Sequence, residues 1–250
     1  MAAGLRQSGY REKIIVYDRH TEKLRTLRRE SQVETTRDLK SALLPAEMVI
    51  IAVRPNSVVK ILEEVVECGI APPQLCVSLA AGIPLARLRR WLGDRAHWVR
   101  AMPSPVCRVG LGLTALCFDR KVTTKERAQV RGLFQHVGQV LEIAERSFDA
   151  FTAVYSSSHG YHALATLAKA GQQAGLDRAT SLTAAAHALS DGISYWRESQ
   201  RTLTDLLREA ATPGGIAAAT MSAMDKAGYS QSFSNGIGAG IRRARIDAKG

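Results

Sequence analysis

Four short apolar runs, each feeding a stretch of helical period, limit what this chain can fold into. They are Ile14-Ile15-Val16-Tyr17, Met48 to Val53, Leu75 to Leu79 and Trp98 to Met102. They are rich in β-branched residues and too short for helices, and charged helix-period segments separate them, so they read as strands of repeated βα units. A parallel sheet built this way binds its ligand at the carboxyl ends of the strands. Thr114 to Phe118 and Val140 to Ile143 read as further strands, with a helix over Lys125 to His136 between them. Helices are also expected over 21–29, 58–66 and 85–92, and Pro72-Pro73 closes one unit. Met1 to Gly9 looks like the helix that follows a glycine-rich turn with no turn before it. The expected α/β domain is therefore a Rossmann-type parallel sheet whose first strand and phosphate loop are missing. Either the true start lies upstream of Met1, or a dinucleotide binds poorly.

From Ser147 onward β-branched runs vanish and alanine becomes frequent. Helices are expected over 149–174, 179–199, 202–211, 216–227 and 233–246, broken by Gly175, Pro213-Gly214-Gly215 and Gly228. This divides the chain into an α/β domain, residues 1–146, and an all-α domain, residues 147–250. Small apolar residues on more than one helix face predict packing against a second subunit. At 250 residues and 46% hydrophobic content the chain can bury a real core. The net charge of +11 is spread over many helices, with only Arg242-Arg243-Ala244-Arg245 dense, so no nucleic-acid partner is expected. Cys68, Cys76, Cys107 and Cys117 form no CxxC pair and no His set stands at zinc-ligand spacing, so reduced thiols and no metal are expected. No run reaches the length that spans a bilayer and no signal-peptide pattern fits the amino terminus. The expectation is a soluble cytoplasmic protein without membrane contact.

Two residues past the first visible strand carry opposing cofactor signals. An acid there, Asp18, can bind the adenosine ribose hydroxyls of NAD, whereas Arg19 can face the 2′-phosphate of NADP. Helix capping explains either residue equally well. Arg54 follows the second run and points to the ligand edge, and Ala80-Ala81-Gly82 ends the third in small residues, where backbone comes close to something or turns sharply.

Six motifs then stand in order: Ala52-Val53-Arg54-Pro55, Ser78 to Ile83, Val99-Arg100-Ala101-Met102-Pro103, Gly110 to Ala115, Asp149 to Ala153 and Thr212-Pro213-Gly214-Gly215. Together, from Met1 to about Ala244, they resemble pyrroline-5-carboxylate reductase. The resemblance implies an amino-terminal domain that binds NADPH or NADH and a helical domain that forms a homodimer, or a higher oligomer of dimers. It also implies hydride delivery to the C=N carbon of a small cyclic imine carboxylate, 1-pyrroline-5-carboxylate, giving L-proline. Carried over residue by residue, Ala52, Val53 and Pro55 line the adenosine and phosphate side with Arg54 near. Ala80, Ala81 and Gly82 admit the cofactor backbone, and Met102-Pro103 flank the nicotinamide. Ser157 lies near the substrate, while Gly214 and Gly215, opening a helix at Ile216, offer amides to its carboxylate.

The chain departs from the family pattern at four places. The first strand and its glycine-rich loop are not seen, and Met-Pro-Asn-Thr-Pro becomes Met102-Pro103-Ser104-Pro105-Val106. Ser-Gly-Ser-Gly-Pro-Ala-Tyr becomes Tyr155-Ser156-Ser157-Ser158-His159-Gly160-Tyr161, and Ile216-Ala217 stand where a Thr pair is usual. His159 is the candidate to supply the proton that the missing hydroxyl would have handled. The competing readings are a non-catalytic dimeric scaffold and a hydroxyacid dehydrogenase. For the latter, Lys169 stands on a suitable helix but no Asn follows within a turn.

Overall fold

The computed structural model describes residues 1–71 and 73–247, so Pro72 of the expected Pro72-Pro73 stop lies outside the described residues. In chain order its first part comprises α1 (Ala2–Gln7), β1 (Ile15–Tyr17), α2 (Thr21–Ser31), β2 (Glu34–Thr36), α3 (Leu39–Leu43), β3 (Met48–Ile51) and α4 (Val58–Glu67). There follow β4 (Leu75–Ser78), α5 (Leu85–Leu92), β5 (His97–Met102), β6 (Leu113–Phe118), α6 (Thr124–Gln135), β7 (Gln139–Glu142) and α7 (Glu145–Val154). All four opening runs are strands, as their β-branched content requires. Glu34–Thr36 carries no apolar pattern, being a polar edge paired to β1 through its backbone ladder, and sequence reading passes over it.

β3, β4 and β5 pair in parallel, β6 runs antiparallel to β5, and β7 is parallel to β6. The sheet is thus mixed at its far edge rather than parallel throughout. Side chains alternate across it. Cys76, Trp98 and Cys117 meet Val58, Leu62, Leu88 and Phe148 on one face, while Val77, Val99 and Leu116 meet Leu5, Val130 and Phe134 on the other. Trp98, Phe134 and Phe148 are fully buried, and burial of a side chain of this kind contributes about 1.5–3 kcal/mol.

β1 and β2 form a separate two-stranded sheet. Ile14 and Tyr17 of the β1 segment pack on the same two cores as Ile50 and Val49 of β3, yet β1 and β3 share no ladder. In the doubly wound order 3-2-1-4-5-6, the strands β2, β1, β3, β4 and β5 take places 3, 2, 4, 5 and 6. Among the described residues no strand takes place 1. The consequence is local: Met48 to Ile50 of β3 are only half-buried, whereas β4 is buried at every position.

The chain divides into two compact units: Met1–Tyr155 with the segment from Ala239 onward, and Ser156–Gly238. The second contains α8 (Ser157–Gln173), α9 (Arg178–Glu198), α10 (Leu203–Ala210), α11 (Ile216–Lys226) and the first half of α12 (Tyr229–Asp247). The one helix expected over 149–174 is two. Tyr155 leaves helical geometry at the end of α7, and the Ser156 hydroxyl caps α8 by accepting from the Ser158 amide. α8 and α9 form a hairpin: Gly175 turns the chain at φ +103° and Asp177 accepts from the amides of Ala179 and Thr180. Gly171 lets α9 approach, since a Cβ there would stand 3.1 Å from Ser181 Oγ. α10 and α11 bury no residue, and Tyr161, Leu203 and Ile216 are exposed. This unit has almost no core of its own.

Candidate active site at the strand tips

The carboxyl ends of β3, β4 and β5 share one edge of the sheet because these strands are parallel. Past β3, Ala52 and Arg54 are exposed and Val53 and Pro55 half-buried, with Pro55 opening the 3-10 turn that leads into α4. Past β4, Ala81 is half-buried, whereas Ala80 packs inside the core beside Trp98 and Leu88. Met102 ends β5 and, like Pro103 just past it, is half-buried, with its side chain resting on the same core as Trp98. Ser104 is buried and starts the next 3-10 turn.

Gly82 has a positive φ of +74°, and a Cβ there would run into the Ala244 carbonyl of α12. The requirement for glycine at this tip therefore comes from the chain's own last helix. Gly112 is constrained likewise. Its Cβ would meet Val106 and the Tyr155 hydroxyl, and that hydroxyl accepts from the Leu113 amide at 2.6 Å.

At the β1 tip, Asp18 Oδ1 accepts from the His20 amide at 2.8 Å, and Lys23 Nζ lies 3.7 Å from Oδ2. Arg19 forms an ion pair with Glu64 of α4, and the Tyr17 hydroxyl donates to the same carboxylate at 3.4 Å. These contacts fix the β1 tip beside the helix that leaves the β3 tip. Small residues at two tips and an acceptor with spare lone pairs at Asp18 suit an extended dinucleotide laid along the edge. The residues present therefore fit NAD(P)H on its adenosine and nicotinamide sides.

Sequence reading gave Arg100 no role, although a cation inside Trp98-Val99-Arg100-Ala101-Met102 is an audible signal. Its side chain is 3% exposed and makes ion pairs with Glu145 at 3.4 Å and Asp149 at 3.3 Å, while its guanidinium stacks over Phe148 at 4.2 Å. Glu145 also accepts from the Leu85 amide at 2.6 Å, capping α5 where Pro84 has no side chain to do so. A cavity of about 590 Å³ opens here, lined by Gly82, Arg87, Arg100, Arg146, Asp149 and Arg245 among others. Burial pushes the Cys76 thiol up to about 12 and, with the Glu145 charge, that of Cys117 up to about 11. Neither is a nucleophile at neutral pH.

The remaining candidates lie in the helical unit. Ser157 and His159 are half-buried in the first turn of α8. Pro213 and Gly214 are the centre of a turn closed by the Gly215 amide donating to the Thr212 carbonyl at 3.0 Å, with Gly214 at φ +78° as a type II turn demands. Gly215 is the N-cap of α11 and brings no side chain, so the first amides of that helix remain open to an anion. Among the described residues no group of three His, Cys, Asp or Glu side chains is placed to hold a metal, and no helix is long and apolar enough to cross a membrane.

Comparison with known proteins gives these features a common setting. Residues 145–246 match the model of the pyrroline-5-carboxylate reductase dimerisation domain, and residues 1–82 match that of NADP oxidoreductase, coenzyme F420-dependent. The chain is 30% identical to pyrroline-5-carboxylate reductase of Mycobacterium tuberculosis, covering 92% of this chain and 86% of that one. It is 29% identical to the enzyme of that name from Synechocystis, covering 94% and 87%. Among solved structures, pyrroline carboxylate reductase of Plasmodium falciparum with NADP bound superposes at a TM-score of 0.87 with 20% identity, covering 99% and 92%. That of Coxiella burnetii gives 0.86 with 24% identity, covering 100% and 94%.

Proposed function

The chain belongs to the pyrroline-5-carboxylate reductase family, and from that premise we propose that it reduces 1-pyrroline-5-carboxylate to L-proline with NAD(P)H. The observation that carries this reading is likeness along nearly the whole length, 30% identity over 86% of the Mycobacterium tuberculosis enzyme. A dimeric scaffold without catalysis is not favoured. When bound, the reduced nicotinamide supplies a hydride to the C=N carbon.

The chain's own residues have the rest of the work. The substrate carboxylate is held by the Gly214-Gly215 turn and the open amides of α11, an arrangement that attracts anions. His159 gives a proton to the imine nitrogen, which with the hydride completes the amine. Ser157 orients the ring. Met102 and Pro103 wall the nicotinamide, Ala52 to Pro55 and Ala81 line its path, and Asp18 and Arg19 face the adenosine ribose, whereas Ala80 supports the tip from the core and Gly82 makes room for α12. Orientation of this kind is where most of the rate comes from when a cofactor carries the chemistry.

The domain division at residues 1–146 and 147–250 belongs to the same reading, supported by the dimerisation-domain match over 145–246. So does a homodimer, or an oligomer of dimers, whose second copy covers the exposed apolar residues of α8 to α11. A cytoplasmic location suits the four unpaired thiols. The test is an assay of the purified chain with the imine and either NADH or NADPH. Imine-dependent loss of reduced dinucleotide matched mole for mole by L-proline supports the reading, and no imine-dependent loss with either cofactor contradicts it.

A further inference from the structure

We propose that this chain binds NADH in preference to NADPH, and that Glu64 of α4 sets the preference by occupying Arg19. The inference rests on the cofactor reading above and concerns its adenosine end. Asp18 and Arg19 are adjacent, and each is suited to a different cofactor: the carboxylate to the ribose 2′- and 3′-hydroxyls, the guanidinium to a 2′-phosphate. Their surroundings differ. Arg19 is ion-paired with Glu64, and Glu64 is held in place by the Tyr17 hydroxyl, with its side chain only 25% exposed. A 2′-phosphate arriving there has to take Arg19 from a carboxylate that is already fixed.

Asp18 is placed for the other partner. Its Oδ1 is turned to the His20 amide, which orients the carboxylate, and Oδ2 keeps acceptor capacity for a hydroxyl. Lys23 is the cation that favours phosphate, but at 3.7 Å from Oδ2 it already balances the Asp18 charge. Glu64 is a positioning residue acting through Arg19, 45 positions away in sequence. Nothing in the sequence near Asp18 reveals it.

The experiment is a fluorescence titration of NADH and of NADPH into the purified full chain and into Glu64→Gln, Arg19→Gln, the double variant and Asp18→Asn. The wild-type chain is expected to bind NADH more tightly. Glu64→Gln is expected to move the ratio of the two dissociation constants toward NADPH by about fivefold, the scale of one partly exposed charge contact. In the double variant the shift disappears, because Arg19 is its agent, and a purely structural role for Glu64 predicts no such coupling. Asp18→Asn is expected to weaken NADH binding. Tighter NADPH binding by the wild-type chain, or a ratio unmoved by Glu64→Gln, overturns the inference and leaves the reductase reading standing. Absence of saturable binding by either dinucleotide removes both.

Discussion

Arg100 sits in the middle of a sheet with its charge shared between two carboxylates of α7. Replacing it by leucine removes both ion pairs and the stacking on Phe148, but Glu145 and Asp149 are 37% and 22% exposed and Asp149 keeps Arg245 at 3.7 Å, so the loss is about 1.5–3 kcal/mol. Arg100→Leu should therefore lower the denaturant midpoint by far more than Arg87→Leu at the rim of the same cavity, and equal midpoints would contradict the packing described. At the proposed site, two substitutions separate binding from proton transfer. Gly214→Ala strains a residue at φ +78° and should raise KM for the imine more than it lowers kcat. His159→Ala should lower kcat by about 100-fold or more with little change in KM, and an unchanged kcat across neutral pH would remove His159 from the mechanism. Residues of this kind are unevenly legible. Gly214 declares itself through Pro-Gly-Gly, whereas the reason for Gly82, a carbonyl 162 positions along, exists only once α12 has folded onto the strand tip.

Among the elements, the separate β1–β2 pair is the weakest part of the first unit. Two three-residue strands without a third neighbour are marginal alone, so their stability depends on the cores beneath them. Amides of β1 and β2 are expected to exchange with solvent well before those of β4 and β5, and equal protection would mean that the split in the sheet does not weaken it. α6 gives a pH-dependent counterpart. Burial raises the Glu126 pKa, but hydrogen bonds from the Thr123 amide, His97 and the Thr123 hydroxyl outweigh it and hold the carboxyl below its usual range. Stability from this cap is present above the ordinary carboxylate pKa, about 4.3, and is lost as pH falls through the lowered folded value. Glu126→Gln should flatten that part of the stability profile, and an identical acid limb in both proteins would show that the cap contributes nothing. The apolar strands and the capped helices were readable because their signals are local. β2 was not, because a polar strand is made by its partner's backbone, and neither was the antiparallel turn of β6, since apolar alternation carries no direction.

For the molecule as a whole, the helical unit poses the larger physical question. Its α10 and α11 bury nothing and Ile216 is 89% exposed, and the dimer proposed above is expected to cover these helices. Sedimentation should return at least a dimer, and charged replacements at Leu203 and Leu207 should shift it toward monomer; a monodisperse monomer at micromolar concentration would contradict the dimer. Small residues on several helix faces are what make a partner expected from sequence, while nothing in the sequence describes that partner's surface. The central claim, that the chain moves a hydride from a nicotinamide to a cyclic imine, is tested most directly by isotope transfer. With NAD(P)H deuterated at the transferable position and 1-pyrroline-5-carboxylate as acceptor, the account predicts L-proline with one deuterium on the former C=N carbon. Unlabelled proline, or none, would contradict it.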